Sequence, residues 1–250
     1  MFKRGQVTIY VVLGLVILVV VGGLFYFLSR GNGSNTISTL GSQAENVKLL
    51  IQNCFEENLL QALYLAGVQG GYIEVPDNSL AINEELAVAY GYFEGQDLLI
   101  NKEEFALEIA NYLNFVVEKC ADFSSFNEFT IEKTSDPRSR LEIFDDRVES
   151  RLFYPVKVSR GSEVVNFEDL YVVDYNIRLG KMLGISKGIV EAERQNPDFI
   201  DVIYLKEEVE ESGFEIDIVE VDVNNILYVI SDDRPNTIGV EYVFQFANKF

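Results

Sequence analysis

A run of 22 uncharged and mostly apolar residues, from Val7 to Leu28, limits the architecture of this 250-residue chain more than any other feature. As a helix it would span roughly 33 Å at about 1.5 Å per residue, which matches a bilayer core of about 30 Å. A signal peptide would have a shorter apolar stretch and a small-residue cleavage site, which Phe27-Leu28-Ser29-Arg30 lacks. A buried core helix would need partners on every face. We therefore expect a retained transmembrane anchor over residues 1–29, with the lipid bilayer as partner through residues 7–28.

Charge divides the chain into two parts. The chain has 40 acidic and 20 basic residues, but residues 1–30 contain three bases, Lys3, Arg4 and Arg30, and no acid. The rest of the chain therefore has a net charge of −23. Because basic residues concentrate on the cytoplasmic side of an anchor, Lys3 and Arg4 favour a cytoplasmic N-terminus and an extracytoplasmic C-terminal domain. An acidic surface repels phosphate backbones, so nucleic acid is not an expected partner.

The residues before the apolar run resemble a known signal. Lys3-Arg4-Gly5-Gln6, followed by Thr8 and the apolar helix, resembles the class III signal of archaeal pilin-like proteins. The resemblance implies that a prepilin-type peptidase cuts between Gly5 and Gln6 and leaves the helix on the mature chain. Pilins of this type have a Glu at the fifth mature position, where this chain has Tyr10. The segment is also similar to the anchors of uncharacterised single-pass archaeal proteins, a family without an assigned activity.

A flexible linker and one acidic domain are expected after the anchor. Glycine and short polar residues between Gly31 and Thr36 predict a linker over residues 30–39. Asn32-Gly33-Ser34 within it matches the glycosylation sequon. Residues 40–250 contain no second linker or repeat, and their length suffices for one α+β domain. We divide this domain into a helical lobe, residues 40–125, and a sheet lobe, residues 126–250.

Two amphipathic helices are expected in the helical lobe. Apolar residues between Val47 and Ala66 recur at spacings of three and four, until Gly67 and Gly70-Gly71 end the pattern. A second helix is expected to start at Asn101, whose side chain can cap the free amides while Glu104 reaches back. Its apolar stripe consists of Phe105, Ile109, Tyr112, Leu113, Val116 and Cys120.

Both cysteines lie on the apolar faces of these helices. Cys54 belongs to the first helix and Cys120 to the second. In an extracytoplasmic domain a disulfide between them is favoured, and two separate buried thiols are the alternative. The disulfide would close a loop of about 66 residues and contribute on the order of 4 kcal/mol in the chain-entropy model.

Antiparallel strands around a helical insert are expected in the sheet lobe. Residues 151–158 alternate between apolar and polar, and Pro155 among them indicates an edge or a bulge. Asn224-Asn225 tolerate the left-handed conformation of a tight hairpin. The other expected strands are residues 167–175, 214–223, 226–231 and 240–247. The fold class is therefore α+β, with an N-terminal transmembrane helix followed by an antiparallel sheet and packed helices.

Three glycines form a stripe in the helical insert. Gly180, Gly184 and Gly188 recur every four residues in a helix expected over residues 177–194. Each glycine costs roughly 1 kcal/mol relative to Ala in a helix interior, so a compensating contact is expected. The stripe would let a backbone approach closely, either in the core or on a partner. A loop in place of the helix is the third alternative.

The sequence predicts no catalytic residue, metal site or cofactor. The absence of histidine excludes Ser-His-Asp and Cys-His nucleophile systems and His-containing zinc sites. Glu220–Asn225 matches only the opening of a calcium loop, because Ser231 stands where a Glu ligand is required. The pairs Asp145-Asp146 and Asp232-Asp233 are more typical of solvated turns than of the general acid and base of a glycosidase. Glu207–Glu211 fits an exposed helix end.

These features favour a non-enzymatic, single-pass surface protein with an acidic extracytoplasmic domain. One form of this hypothesis is a pilin-like or surface-assembly component, with a second copy or another surface protein as partner. The alternative is a membrane-tethered ligand-binding or sensory domain, which requires a preformed pocket. A carboxylate-dependent extracellular enzyme is the third hypothesis.

Overall fold

The structure of the protein is a computed structural model that describes residues 39–197, 200–234, 239 and 241–250. The expected anchor, residues 30–38 of the expected linker, the signal-like Lys3–Gln6 and the Asn32 sequon lie outside the described residues. Among the described residues, none of the helices combines the length and the apolar composition needed to cross a membrane. Residues 39–45 belong to one compact unit, and the described residues from 46 onward belong to a second one. The description below concerns the second unit, apart from the first turns of one helix.

Four α-helices lie within the described ranges, and their apolar faces follow the spacing seen in the sequence. They are α1 (Thr39–Val68), α2 (Lys102–Cys120), α3 (Leu179–Gln195) and α4 (Val202–Ser212). A short 3-10 helix follows α2 at Phe123–Ser125. In the second unit, the predicted stripe of α1 is fully buried at Val47, Ile51, Phe55, Leu59 and Leu63. The helix ends where expected, because Gly70 and Gly71 have φ angles of +79° and +102°.

The start of α2 is confirmed in detail. The Asn101 side chain accepts a hydrogen bond from the Glu104 amide at 2.9 Å, and the Glu104 carboxylate accepts one from the Asn101 amide at 3.1 Å. This reciprocal capping box satisfies two amides that lack partners within the helix. On the buried face of α2, Val117 is fully buried and takes the place expected for Val116, which is half-buried.

The expected disulfide is present between α1 and α2. Cys54 and Cys120 are bonded, with their Cα atoms 6.1 Å apart and a sequence separation of 66 residues. The alternative of two separate buried thiols is therefore wrong. Since Cys120 is the last residue of α2, the bond ties the end of this helix to the middle of α1.

Twelve strands in the described residues form three sheets. The first sheet has the order β1-β2-β12-β11-β10, with β3 paired to β2, and the other two have the orders β4-β7-β8 and β5-β6-β9. The strand bounds are β1 (Ser79–Ala81), β2 (Ala87–Phe93), β3 (Gln96–Asp97), β4 (Thr130–Lys133), β5 (Arg138–Ile143), β6 (Val148–Phe153), β7 (Val156–Arg160), β8 (Glu163–Phe167), β9 (Leu170–Tyr175), β10 (Glu215–Glu220), β11 (Asn225–Asp232) and β12 (Tyr242–Lys249). The fold is thus α+β with antiparallel sheets and helices.

One strand pair is parallel and crosses the predicted lobe boundary. β2 lies in the segment 40–125, where an extended or loop segment was expected between the two helices, and it pairs in parallel with β12. All other strand pairs in the described residues are antiparallel. The first sheet therefore contains strands from both of the predicted lobes, 40–125 and 126–250.

The prediction of a single strand over residues 151–158 is wrong. The chain leaves β6 after Phe153 and enters β7, in a different sheet, at Val156. Pro155 lies at the break, where its lack of an amide hydrogen makes a continuous ladder unfavourable. Its carbonyl accepts a hydrogen bond from the Thr134 amide at 3.1 Å, which connects the crossing to the residue after β4. The hairpin β10–β11 and the strand β12 form the expected three-stranded meander.

A buried carboxylate connects α3 to the first sheet. Glu193 is 1% exposed and accepts hydrogen bonds from the Tyr228 hydroxyl on β11 and from the Asn248 amide group on β12. The Asn248 carbonyl oxygen accepts the Tyr92 amide of β2 at 2.9 Å. Burial raises the pKa of Glu193 above its ordinary value of 4.5, and the two donors oppose this shift. One side-chain network therefore joins α3, β11, β12 and β2.

We expect the Glu193→Gln substitution to change the pH dependence of stability. Because the pKa of Glu193 is raised on folding, the folded chain binds more protons than the unfolded chain between pH 4.5 and the raised value. The wild type should lose stability as the pH rises through this window. The carboxamide of the variant stays neutral and keeps an oxygen that can accept hydrogen bonds. The free energy of unfolding of the variant should therefore rise relative to that of the wild type as the pH rises. Urea unfolding at a series of pH values measures the difference.

The matched control is Glu191→Gln, two residues earlier on the exposed side of α3. Hydrogen bonds from Gln195 and Arg194 hold the pKa of Glu191 below its ordinary value. This control should therefore lose stability relative to the wild type as the pH rises from the lowered pKa to 4.5, with no further change above 4.5, which is the opposite sign. A Glu193→Gln curve parallel to the wild-type curve would contradict the prediction.

Candidate ligand-binding groove

A groove of about 680 Å³ opens beside α3. Its walls are the loop at residues 97–101, the first turn of α2, the middle of α3 and the side chain of Tyr72. The aliphatic part of the lining comes from Leu98, Leu99, Ile100 and Leu183, and the charged part from Asp97, Lys102, Glu103, Glu104 and Lys187. The groove therefore offers apolar surface together with charges of both signs.

Local hydrogen bonds and one close contact hold the loop wall in place. The Leu98 amide donates to the Gly91 carbonyl at 2.8 Å, and the Leu99 amide donates to the Asp97 carboxylate at 3.1 Å. Ile100 is buried against Gly71, where any Cβ would collide with the Ile100 side chain. Gly71 also has a φ of +102°, so both its conformation and its lack of a side chain are required.

The three glycines of the α3 stripe have two different roles. A Cβ at Gly180 would collide with the Phe144 carbonyl, and a Cβ at Gly188 would collide with the Tyr204 hydroxyl. A Cβ at Gly184, in contrast, would meet no atom within 4 Å. Gly180 and Gly188 thus allow close packing within the chain, whereas Gly184 is exposed and leaves the groove open.

Two lysines supply the positive charge of the groove. The Lys102 ammonium is 2.7 Å from the Asp145 carboxylate, and its hydrogen bond holds the pKa of Asp145 below the usual range. No carboxylate of the described residues lies within ion-pair distance of Lys187. Among the acids, Asp97 and Glu104 already accept backbone hydrogen bonds. Lys187 and Glu103 are therefore the charged groups with most freedom to meet a ligand.

The acidic pairs of the sequence lie apart from this arrangement, except Asp145. Asp146 pairs with Arg147 at 3.4 Å and is exposed, as expected for a turn. The expectation of a solvated turn is wrong for Asp232. This residue is buried and accepts two hydrogen bonds from Arg178, at 2.6 and 2.5 Å. This ion pair ties the residue before α3 to the end of β11. Neither residue lines the groove.

The calcium-like segment is a hairpin turn. Asp222 accepts hydrogen bonds from the amides of Asn224 at 2.8 Å and Asn225 at 3.0 Å. The Asn224 hydrogen bond is the main cause that holds the pKa of Asp222 below its ordinary value. In the described part of the chain, no group of three or more acidic or cysteine side chains could hold a metal ion. Glu207–Glu211 lie on α4, in agreement with the expected helix end.

Sequence reasoning identified parts of the groove but not the groove itself. It singled out Asn101 and Glu104 as a helix cap and Gly184 as a packing residue. The sequence did not indicate the other lining residues as a site, because they come from three separate segments and have no motif spacing. These residues are Tyr72, Leu98, Leu99 and Lys187. No family model matches the chain, and comparison with curated proteins and with solved structures finds no match either. The residues and geometry of the domain itself therefore carry any functional proposal.

We expect Gly184→Ala and Gly188→Ala to change stability in opposite directions. Alanine at position 184 fits without contact and should stabilise the helix by on the order of 1 kcal/mol. Alanine at position 188 would collide with Tyr204 and should cost about 1–3 kcal/mol. Urea unfolding of the two variants provides the comparison. Similar shifts for both would show that the stripe acts only through helix propensity.

Proposed function

We propose that this protein is a non-enzymatic, single-pass membrane-anchored surface protein whose extracytoplasmic domain binds a small ligand in the groove. The observation that carries the binding role is the groove itself. Its volume of about 680 Å³ lies within the range of roughly 300–1,000 Å³ typical of small-molecule sites. It also combines an apolar wall of four aliphatic side chains with five charged groups that could orient a ligand.

The chemistry of the lining favours an amphiphilic ligand with an anionic group. Leu98, Leu99 and Leu183 provide apolar contacts, and Lys187 provides a cation whose charge also helps to lower the pKa of Glu191. Two of the three acids accept backbone hydrogen bonds that fix their positions in the groove wall.

The proposed location rests on the sequence. The apolar run at residues 7–28 is long enough to span a bilayer, and Lys3 and Arg4 precede it. An acidic domain outside the cytoplasm agrees with the Cys54–Cys120 disulfide, because disulfides persist in oxidising compartments.

We expect the groove to bind a small aromatic acid, and 4-fluorophenylacetate is a suitable probe. The fluorine signal of this probe should broaden in the presence of the full chain in nanodiscs. Gly184→Phe fills the groove and should abolish the broadening, because its side chain would occupy the open space beside Leu183. Lys187→Gln should weaken binding of the acid but not of 4-fluorophenethylamine, which has the opposite charge.

The matched control for this test is Val223→Phe. It introduces the same ring at a fully exposed residue that does not line the groove. Its binding should equal that of the wild type. If neither probe binds, or if Gly184→Phe and Val223→Phe bind equally, the groove is not the ligand site.

A pilin-like role in surface assembly is the second candidate, and Lys3-Arg4-Gly5-Gln6 is the observation that favours it. In cells with a prepilin-type peptidase, the intact mass should correspond to a chain that begins at Gln6. Gly5→Leu should block this processing. Gly14→Leu, the same exchange inside the apolar run, should leave it unchanged. A wild-type chain that keeps residues 1–5 would exclude prepilin-type processing.

A further inference from the structure

The outward face of the sheet β5-β6-β9 is basic and apolar at one end. Because side chains alternate along a strand, each strand contributes three residues to this face, and the register aligns them in three rows. The third row is acidic and consists of Glu142, Glu149 and Asp174. The first two rows contain no acid, and we name them the arginine face: Arg138, Phe153, Leu170, Arg140, Arg151 and Val172.

The aliphatic members of the arginine face are exposed. Leu170 is 58% and Val172 is 53% exposed, whereas Tyr171 and Val173 on the opposite side of β9 are buried. β9 also lies at the edge of its sheet and pairs with β6 alone among the described strands. Two aliphatic side chains therefore face solvent on a strand whose other side already belongs to the core.

Two of the three arginines are available to a partner. Among the described residues, no carboxylate lies within ion-pair distance of Arg138. Arg140 is 3.2 Å from the Glu142 carboxylate, but its side chain is 76% exposed, and an ion pair this exposed contributes little. Arg151 is 2.5 Å from the Glu149 carboxylate and compensates this less exposed acid. Arg138 and Arg140 can therefore contact an external anion.

α1 runs beside β9 in the same direction. The Lys48 ammonium is 2.6 Å from the carboxylate of Asp169, the residue just before β9. At the end of β9, the Tyr175 hydroxyl donates a hydrogen bond to the Glu56 carbonyl at 3.3 Å. The compact unit that contains both elements begins at residue 46. The chain therefore enters this unit at the end of the sheet where the arginine face lies.

We propose that the arginine face docks on the bilayer that holds the anchor, with anionic lipid headgroups at the arginines and the aliphatic side chains at headgroup level. This inference rests on the proposed anchor. A surface that combines basic and apolar side chains is typical of proteins that bind the membrane interface. Because tethering raises the effective concentration of the domain at the bilayer, a patch of six side chains can suffice to orient it.

Charge distinguishes the arginine face from the rest of the domain. Outside residues 1–30 the net charge is −23, so an anionic bilayer repels most other faces. The acids that directly precede β5 and β9 in the chain are Asp136, Glu168 and Asp169. Since Lys48 pairs with Asp169, four bases stand against three acids at this end of the sheet. This end is therefore the part of the sheet that an anionic surface attracts.

The other end of the sheet contains the acidic row and adjoins the groove. Four residues of strand, at about 3.3 Å each, place the third row roughly 13 Å from the first row. Beyond it, the turn between β5 and β6 brings Asp145 within 2.7 Å of Lys102, which lines the groove. Docking of the arginine face therefore turns the acidic row and the groove away from the bilayer. A ligand would reach the groove from the aqueous phase.

Tryptophan fluorescence of the full chain in vesicles tests the proposal, because the chain contains no tryptophan of its own. Leu170→Trp places one indole on the arginine face, and Asp174→Trp places one in the third row of the same strand. In vesicles of equal parts phosphatidylglycerol and brominated phosphatidylcholine, quenching of Leu170→Trp should exceed that of Asp174→Trp several-fold. Since Asp174→Trp removes an acid, any bias of this control is toward the lipid.

Equal quenching of the two variants, or no quenching of either, would overturn the docking. Flotation of the same vesicles reports the anchor independently. A chain that floats without selective quenching has its anchor but does not dock. A chain that neither floats nor shows quenching has neither, and the proposed anchor then fails together with the docking.

Arginine variants in the Leu170→Trp background separate the charge of the face from its apolar contact. Arg138→Gln should lower the ratio of docked to undocked domain about fivefold in the anionic vesicles. Arg147→Gln removes the same charge in the turn between β5 and β6, at the opposite end of the sheet, and should leave quenching unchanged. In vesicles of brominated phosphatidylcholine alone, Arg138→Gln should equal its parent. An equal loss for Arg138→Gln and Arg147→Gln in the anionic vesicles would contradict docking through the arginine face.

Discussion

The placement of α3 against the first sheet depends on a buried carboxylate that is matched by two donors. Glu193 receives hydrogen bonds from β11 and β12, and Asn248 passes the connection on to the Tyr92 amide of β2. An unpaired carboxylate at this depth would be strongly unfavourable, so the network allows essentially one arrangement of helix and strands. At the other end of α3, the Arg178–Asp232 ion pair adds a second connection to β11. The helix is therefore held at both ends.

The groove depends on this placement, because its two long walls come from elements that are distant in sequence. α3 supplies Leu183, Gly184 and Lys187, whereas the opposite wall follows β3 and continues into α2. β3 is attached to β2, and β2 is fixed by its parallel pairing with β12. A change at Glu193 would therefore shift the distance between the walls without altering any residue that lines them.

Much of the fold was predictable from the sequence because it depends on interactions between residues that are close in sequence. The capping box at Asn101, the end of α1 at its glycines and the β10–β11 hairpin all depend on residues within a few positions of each other. The parallel β2–β12 pair and the burial of Asp232 depend on contacts between segments that are far apart in sequence. No local sequence pattern predicts such contacts. For the same reason Gly184 was recognisable only as a packing residue, since its role requires the loop at residues 97–101.

The Cys54–Cys120 bond has a mechanical consequence when the chain is pulled from both ends. A pull between the residues before α1 and the C-terminus would pass along α1 and cross directly from Cys54 to Cys120. The backbone between them would then be bypassed, and β2 within it would feel the pull only through its pairing with β12. This part of the chain contains Tyr72 and the loop wall of the groove. The disulfide therefore prevents the backbone of the groove wall from being drawn out into an extended chain.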